Sequence, residues 1–284
     1  MHKPVPMEPT VLRSRQLLLA GVVATCLVAT ACSRLTFVKA DASRGASDRV
    51  APEYNLRDEP RDIGAAVARR HAALAEQRLR AGQLDDAEKE AKAAVKADPR
   101  SAAGHTLLAL VHQQRGRSEA AGSHYAKAAE VAPESGAMLN NYGAWLCANG
   151  RAPESLAWFD RALADPRYRS RASAMANAGS CAATAGQFDR VERDLRGALA
   201  LDPGNLVALA AMAEQQFRVG RYLEARAFSE RRLAAAPASA ESLLLASRIE
   251  DKLGDKAAAA RYVQRLEMEF PQARTLPFGE TSTP

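Results

Sequence analysis

The sequence predicts an all-α protein, a solenoid of about six helix pairs. Three observations predict it. A glycine recurs at Gly82, Gly116, Gly150, Gly186, Gly220 and Gly254, with spacings of 34, 34, 36, 34 and 34 residues. A proline recurs almost in step, at Pro99, Pro133, Pro166, Pro203, Pro237 and Pro271. Hydrophobic residues make up 47% of the chain but aromatics only 5%, the balance of an Ala- and Leu-rich helical core. A fixed period of this size means one supersecondary unit per repeat, each burying its apolar face against the next.

The stretch Ser135 to Pro166 shows the unit most clearly. The first helix of each repeat carries a small residue where its partner crosses closely: Ala75, Ala109, Gly143, Gly179, Ala213 and Ser247. The glycine then ends that helix, because it tolerates positive φ. The second helix places a small residue at its own crossing point, at Ala87, Ala121, Ser155, Ala225 and Ala259, with Val191 a departure. A knob and a further alanine follow, as in Tyr125 with Ala128 and Phe159 with Ala162. Proline closes the unit, since it lacks an amide donor and restricts the residue before it. These landmarks resemble the tetratricopeptide repeat over residues 62–271, and the resemblance implies a right-handed superhelix. Arg232 departs from the pattern, where an alanine is usual.

In chain order, Asp62 is the expected cap of the first helix, which would run through Ala65, Val67, Ala72 and Leu79 to Gly82. At the other end no further amphipathic helix follows the sixth repeat. Its second helix, through Tyr262, Leu266 and Phe270, is expected to cap the array. The tail 272–284 holds prolines and a glycine and is expected to be disordered.

Residues 1–31 read as a lipoprotein signal peptide. Arg13 and Arg15 precede an apolar run from Leu17 to Ala31, too short for a membrane-spanning helix. Ala29-Thr30-Ala31-Cys32 resembles the bacterial lipobox, which implies lipidation of Cys32 and a membrane attachment through that lipid. Ser33 after it suggests the outer membrane, facing the periplasm. A plain signal peptide cut near Ala31 and an uncleaved anchor are the alternatives. Residues 32–61 are polar, without helical or strand period, and read as a flexible tether.

Charge and chemistry exclude more than they assign. The 39 basic and 33 acidic residues leave a net +6 with no long basic run. No nucleic-acid partner is expected without a clustered stripe. His2, His71, His105, His112 and His124 are scattered in sequence and lack close ligand pairs, so no metal site is expected. There is no phosphate-cradling loop and no nucleophile elbow. No catalytic residue and no cofactor are expected, and the chain reads as a non-enzyme and a monomer. Of four cysteines, Cys26 and Cys32 belong to the leader and its junction. Cys147 and Cys181 lie in first helices of adjacent repeats, where they can pair as a disulfide or sit as two separately buried small residues.

The tetratricopeptide resemblance implies that the first helices line the concave face. Repeats three and four present Asn140, Asn141 and Ala144, then Ser173, Asn177 and Ser180. These short side chains would let a partner's backbone approach, with Asn141 and Asn177 at one register able to donate and accept. Glu214, Arg218, Arg248 and Lys252 make the far end of this groove charged. Arg151, Glu154 and Arg161 mark the competing convex face.

Three segments carry a closer resemblance: NNYGAWLC (Asn140 to Cys147), FDRALADPRY (Phe159 to Tyr168) and ANAGSCA (Ala176 to Ala182). With ARAFSERRLAAAPASAESLLLASRIEDKLGD ending at Asp255, they are similar to the type IV pilus biogenesis/stability lipoproteins, the PilF/PilW family. The two-residue lengthening in DPRYRSRA also fits. The resemblance implies a pilotin, which brings the type IV pilus secretin to the outer membrane and promotes its multimer assembly. A lipoprotein adaptor for peptidoglycan enzymes is the alternative with the same fold.

Overall fold

A computed structural model describes residues 60–272 of the 284. The expected signal peptide 1–31, Cys32, nearly all of the expected tether 32–61 and the tail beyond Gln272 lie outside the described residues. Within them the chain forms twelve α-helices and no strand. In order they are α1 (Pro60–Arg80), α2 (Leu84–Ala97), α3 (Ala102–Gln114), α4 (Ser118–Val131), α5 (Gly136–Ala148) and α6 (Ala152–Ala164). Then come α7 (Arg171–Thr184), α8 (Phe188–Leu201), α9 (Leu206–Arg218), α10 (Tyr222–Ala235), α11 (Ala240–Leu253) and α12 (Lys256–Glu269). Successive helices pair as antiparallel hairpins, and each hairpin stacks on the next. First helices of neighbouring repeats also touch, as in α5 with α7, α7 with α9 and α9 with α11. The predicted tetratricopeptide array of six pairs is the observed fold.

The recurring glycines do what their spacing predicts. All six turn glycines have positive φ, between 69° and 87°, and no other described residue does. Gly179 serves the other need, close approach. A Cβ there would lie 2.7 Å from Leu195 Cγ and 3.1 Å from the Leu195 backbone nitrogen, so α7 and α8 meet almost backbone to backbone. The core is built from alanines at such crossings and a few large side chains. Phe159, Leu195 and Met212 belong to one buried cluster spanning α6 to α9. Truncating a residue like Phe159, which is 0% exposed, would cost about 3–5 kcal/mol.

Helix starts follow local chemistry, with one difference from expectation. Ser101, Asn205, Ser239 and Asp255 accept hydrogen bonds from backbone amides in the first turns of α3, α9, α11 and α12. Asp62 does not cap α1. The helix begins at Pro60, whose fixed φ and missing amide suit a first turn. Asp62 therefore sits inside that turn, where its charge favours the positive end of the helix dipole.

The lengthened link between repeats three and four has its own packing. The Asp165 carboxylate accepts from the Gly136 amide at 3.0 Å and from the Arg167 amide at 2.9 Å. Those two amides, Gly136 first, hold its pKa below the usual carboxylate value. Tyr168 packs with Leu139, Ala162 and Trp158 beside it. At the carboxyl end Leu266 is buried against the array, and Tyr262 and Phe270 are half-buried on the same helix end.

Candidate binding surface

α5 and α7 are fastened at two points. Between the first half of α5 and the middle of α7, Asn177 Nδ2 donates to Asn140 Oδ1 at 3.0 Å. Near their ends, Cys147 and Cys181 form a disulfide, with Sγ–Sγ 2.08 Å and Cα–Cα 5.9 Å. The amide contact differs from the register expectation, which matched Asn177 with Asn141. The reason is geometric: partners are 37 residues apart at the amide contact and 34 at the disulfide, so equal position in the repeat does not identify neighbours. Asn140 falls three residues before Gly143 and seven before Cys147, on the buried stripe of α5 with Leu139 and Leu146. That spacing was the signal that Asn140 faces inward. It is 8% exposed, so it belongs to the scaffold and not to an open groove.

The remaining groove residues separate. Asn141 and Ala144 are half-buried, and Ala144 packs against the large core cluster. Ser173 is exposed. Ser180 alone of the six lines a cavity of about 520 Å³, and that cavity lies on repeats four to six. Leu206, Val207, Ala210, Ala211 and Glu214 of α9 line it, with Ser242 and Leu245 of α11. Arg232, the departure from repeat pattern, reaches it from α10. Its guanidinium donates to the Pro237 carbonyl at 3.4 Å. This recess of the first-helix surface thus lies nearer the carboxyl end than the register expectation placed the groove. The sequence hid this because depth depends on how three helices splay, whereas the register gives only which residues face one way.

The second-helix side carries ion pairs that link neighbouring hairpins. Arg190 joins Asp194 on its own helix at 2.9 Å to Asp160 on α6 at 2.8 Å. Arg226 of α10 pairs with the buried Glu250 of α11, and Arg115, just past the end of α3, with Asp85 and Glu88 of α2. Arg151 pairs locally with Glu154 at 2.6 Å, and Arg161 stacks over Trp158 at 4.6 Å.

Three histidines that looked scattered converge between α3 and α4. His124 lies 3.2 Å from His105 through their Nδ1 atoms and stacks on His112 with ring centroids 5.5 Å apart. His105 Nε2 faces the Pro99 carbonyl at 3.1 Å and must donate to it. With His105 neutral its Nδ1 is therefore the acceptor, and His124 donates through Nδ1. Burial first, then the charges of His105, His112 and Lys92, hold the His124 pKa below its ordinary value. Among the described residues no group of three or more His, Cys, Asp or Glu is placed to hold a metal ion.

No family model matches the chain. A tetratricopeptide repeat protein from Parabacteroides merdae superposes with a TM-score of 0.57 at 19% identity, covering 71% of this chain and 78% of its own, a likeness of fold. The solved structure of Pseudomonas aeruginosa PilF gives 0.65 at 24% identity, covering 73% and 94%. The crystal structure of PilW, a type IV pilus biogenesis factor, gives 0.66 at 30% identity, covering 72% of this chain and 94% of PilW. The chain belongs to the PilF/PilW family. In sequence, this family member is also 26% identical over 193 residues to the type IV pilus assembly protein PilF of Pseudomonas aeruginosa, 68% of this chain and 77% of that one. The likeness to PilW spans nearly all of PilW, so a whole tetratricopeptide body is shared, beyond an isolated repeat or two.

Proposed function

We propose that this PilF/PilW-family chain is a pilotin: an outer-membrane lipoprotein, held by a lipid on Cys32 and facing the periplasm, that binds the type IV pilus secretin and promotes its multimer assembly. The observation that carries the reading is the 30% identity to PilW over 94% of that protein. A role in type IV pilus biogenesis follows from that kinship, and PilF is described as a type IV pilus assembly protein. The stacked first helices supply a surface suited to an extended protein segment, and the chain acts by binding, not by catalysis. The relatives lend no support to the alternative of an adaptor for peptidoglycan enzymes.

A triacylated Cys32 buries more methylene than the single chain that binds membranes only marginally, so attachment should be stable. The test is Cys32→Ala in a strain carrying the secretin. Fractionation should find that variant soluble, and detergent-resistant secretin multimers should fall while secretin monomer accumulates. A variant that stays in the outer membrane overturns the anchor. Multimers that are unchanged when the whole gene is deleted overturn the pilotin reading.

A further inference from the structure

The first-helix surface of repeats four to six has two chemically distinct halves. At the start of α9 and α11 lies the 520 Å³ cavity, with Leu206 and Val207 beside it 38% and 46% exposed. That volume is within the range of sites that take side chains of a ligand. Toward the ends of the same helices the stripe turns cationic. Arg218 follows Glu214 by one turn on α9, and Arg248 and Lys252 follow Leu245 on α11, so helical spacing puts them on the cavity's face.

Both arginines lie over aromatic rings of the preceding repeat. Arg218 sits over Phe188, 5.4 Å from the ring centroid, and Arg248 over Phe217 at 5.0 Å. Arg218 also donates to Gln215 Oε1 at 2.5 Å. Among the described residues neither guanidinium pairs with a carboxylate, unlike Arg115, Arg190 and Arg226. A ring attracts a guanidinium without using its N–H donors, so those of Arg248, and those that Arg218 does not give to Gln215, can donate to a carboxylate. Glu214 and Glu241 are the acids facing this region. Glu241 is engaged at the start of α11, where its own amide and Ser239 hold its pKa down.

We propose that this surface binds an acidic, extended segment of a protein partner, with an apolar side chain in the cavity and carboxylates on Arg218 and Arg248. A strand of about ten residues spans ~33 Å, enough to cross three helices packed about 10 Å apart. The proposal uses the same cavity that Ser180 lines, so it rests on the first-helix surface being where a protein partner docks, and it adds the chemistry of the segment bound there.

The probe is a fluorescein-labelled peptide of alternating Leu and Glu, with its Leu–Lys counterpart as control, titrated by anisotropy against the full chain. Wild type should bind the Leu–Glu peptide at least tenfold more tightly, and the preference should weaken as salt rises. Arg218→Glu with Arg248→Glu should abolish the preference while circular dichroism stays unchanged. Ala211→Trp, which fills the cavity, should weaken Leu–Glu binding about tenfold without reversing charge. Equal affinity for the two peptides, no binding of either, or unchanged affinity in the double variant overturns the proposal. Because neither peptide contains secretin sequence, failure here leaves the pilotin reading standing, and loss of that reading leaves this surface standing.

Discussion

Asn177 donates a hydrogen bond from Nδ2 to Oδ1 of the buried Asn140, 3.0 Å away on the first helix of the preceding repeat. The bond fixes the approach of α5 and α7, and its loss should be felt as stability. Asn177→Ala leaves the Asn140 carbonyl buried without its partner, at a cost of about 1–3 kcal/mol. Asn140→Ala and Asn177→Ala together should cost less than the sum of the two, since the second change removes the orphan left by the first. Urea unfolding of the three variants checks this. Strict additivity would mean the two amides do not act as a pair.

Further along the same helices, the Cys147–Cys181 bond closes a 34-residue loop. In the chain-entropy account such a bridge is worth on the order of 3–4 kcal/mol. Stability in a repeat array is local, so Cys147→Ser should lower the melting temperature and split the transition, loosening repeats one to three from four to six. Calorimetry with and without reductant reads both effects on the wild-type chain. An identical single transition under both conditions contradicts this role.

The histidine cluster predicts a pH dependence with a definite sign. The pKa of His124 is depressed in the folded chain, chiefly by burial, relative to an ordinary value of 6.5. Protonation therefore favours the unfolded state. Stability should be complete above about pH 7.5, fall as the pH drops through about 6.5, and level off below the folded pKa. His124→Gln should flatten that part of the curve. The measurement is the urea midpoint from about pH 8 to 5 for both chains. A wild-type midpoint that rises on acidification through this window reverses the sign and rules the explanation out.

The fold was legible in the sequence because its causes are local. Gly186 must adopt positive φ and Pro203 must end a helix whatever their surroundings, and both recur once per period. The binding surface was less legible. Which residues face one way follows from helical phase, and Ser180 was found so. Which of them meet across helices depends on crossing geometry, and this is why Asn140 and not Asn141 contacts Asn177. The convergence of His105, His112 and His124 was hidden for the same reason, since nineteen residues separate His105 from His124. The arginine–aromatic stacks at Arg218 and Arg248 join residues about thirty apart and leave no local trace.

The proposed function places secretin assembly on the first-helix surface of this PilF/PilW-family chain. Its most direct test is the yield of detergent-resistant secretin multimers in a deletion strain complemented with Ser180→Arg or with Arg151→Glu. Ser180 lines the cavity on the first-helix side, and Arg151 is exposed at the start of α6. With both variants folded and present at the wild-type level, Ser180→Arg should abolish the multimers and Arg151→Glu should leave them intact. Multimers preserved by Ser180→Arg and lost with Arg151→Glu would contradict the account.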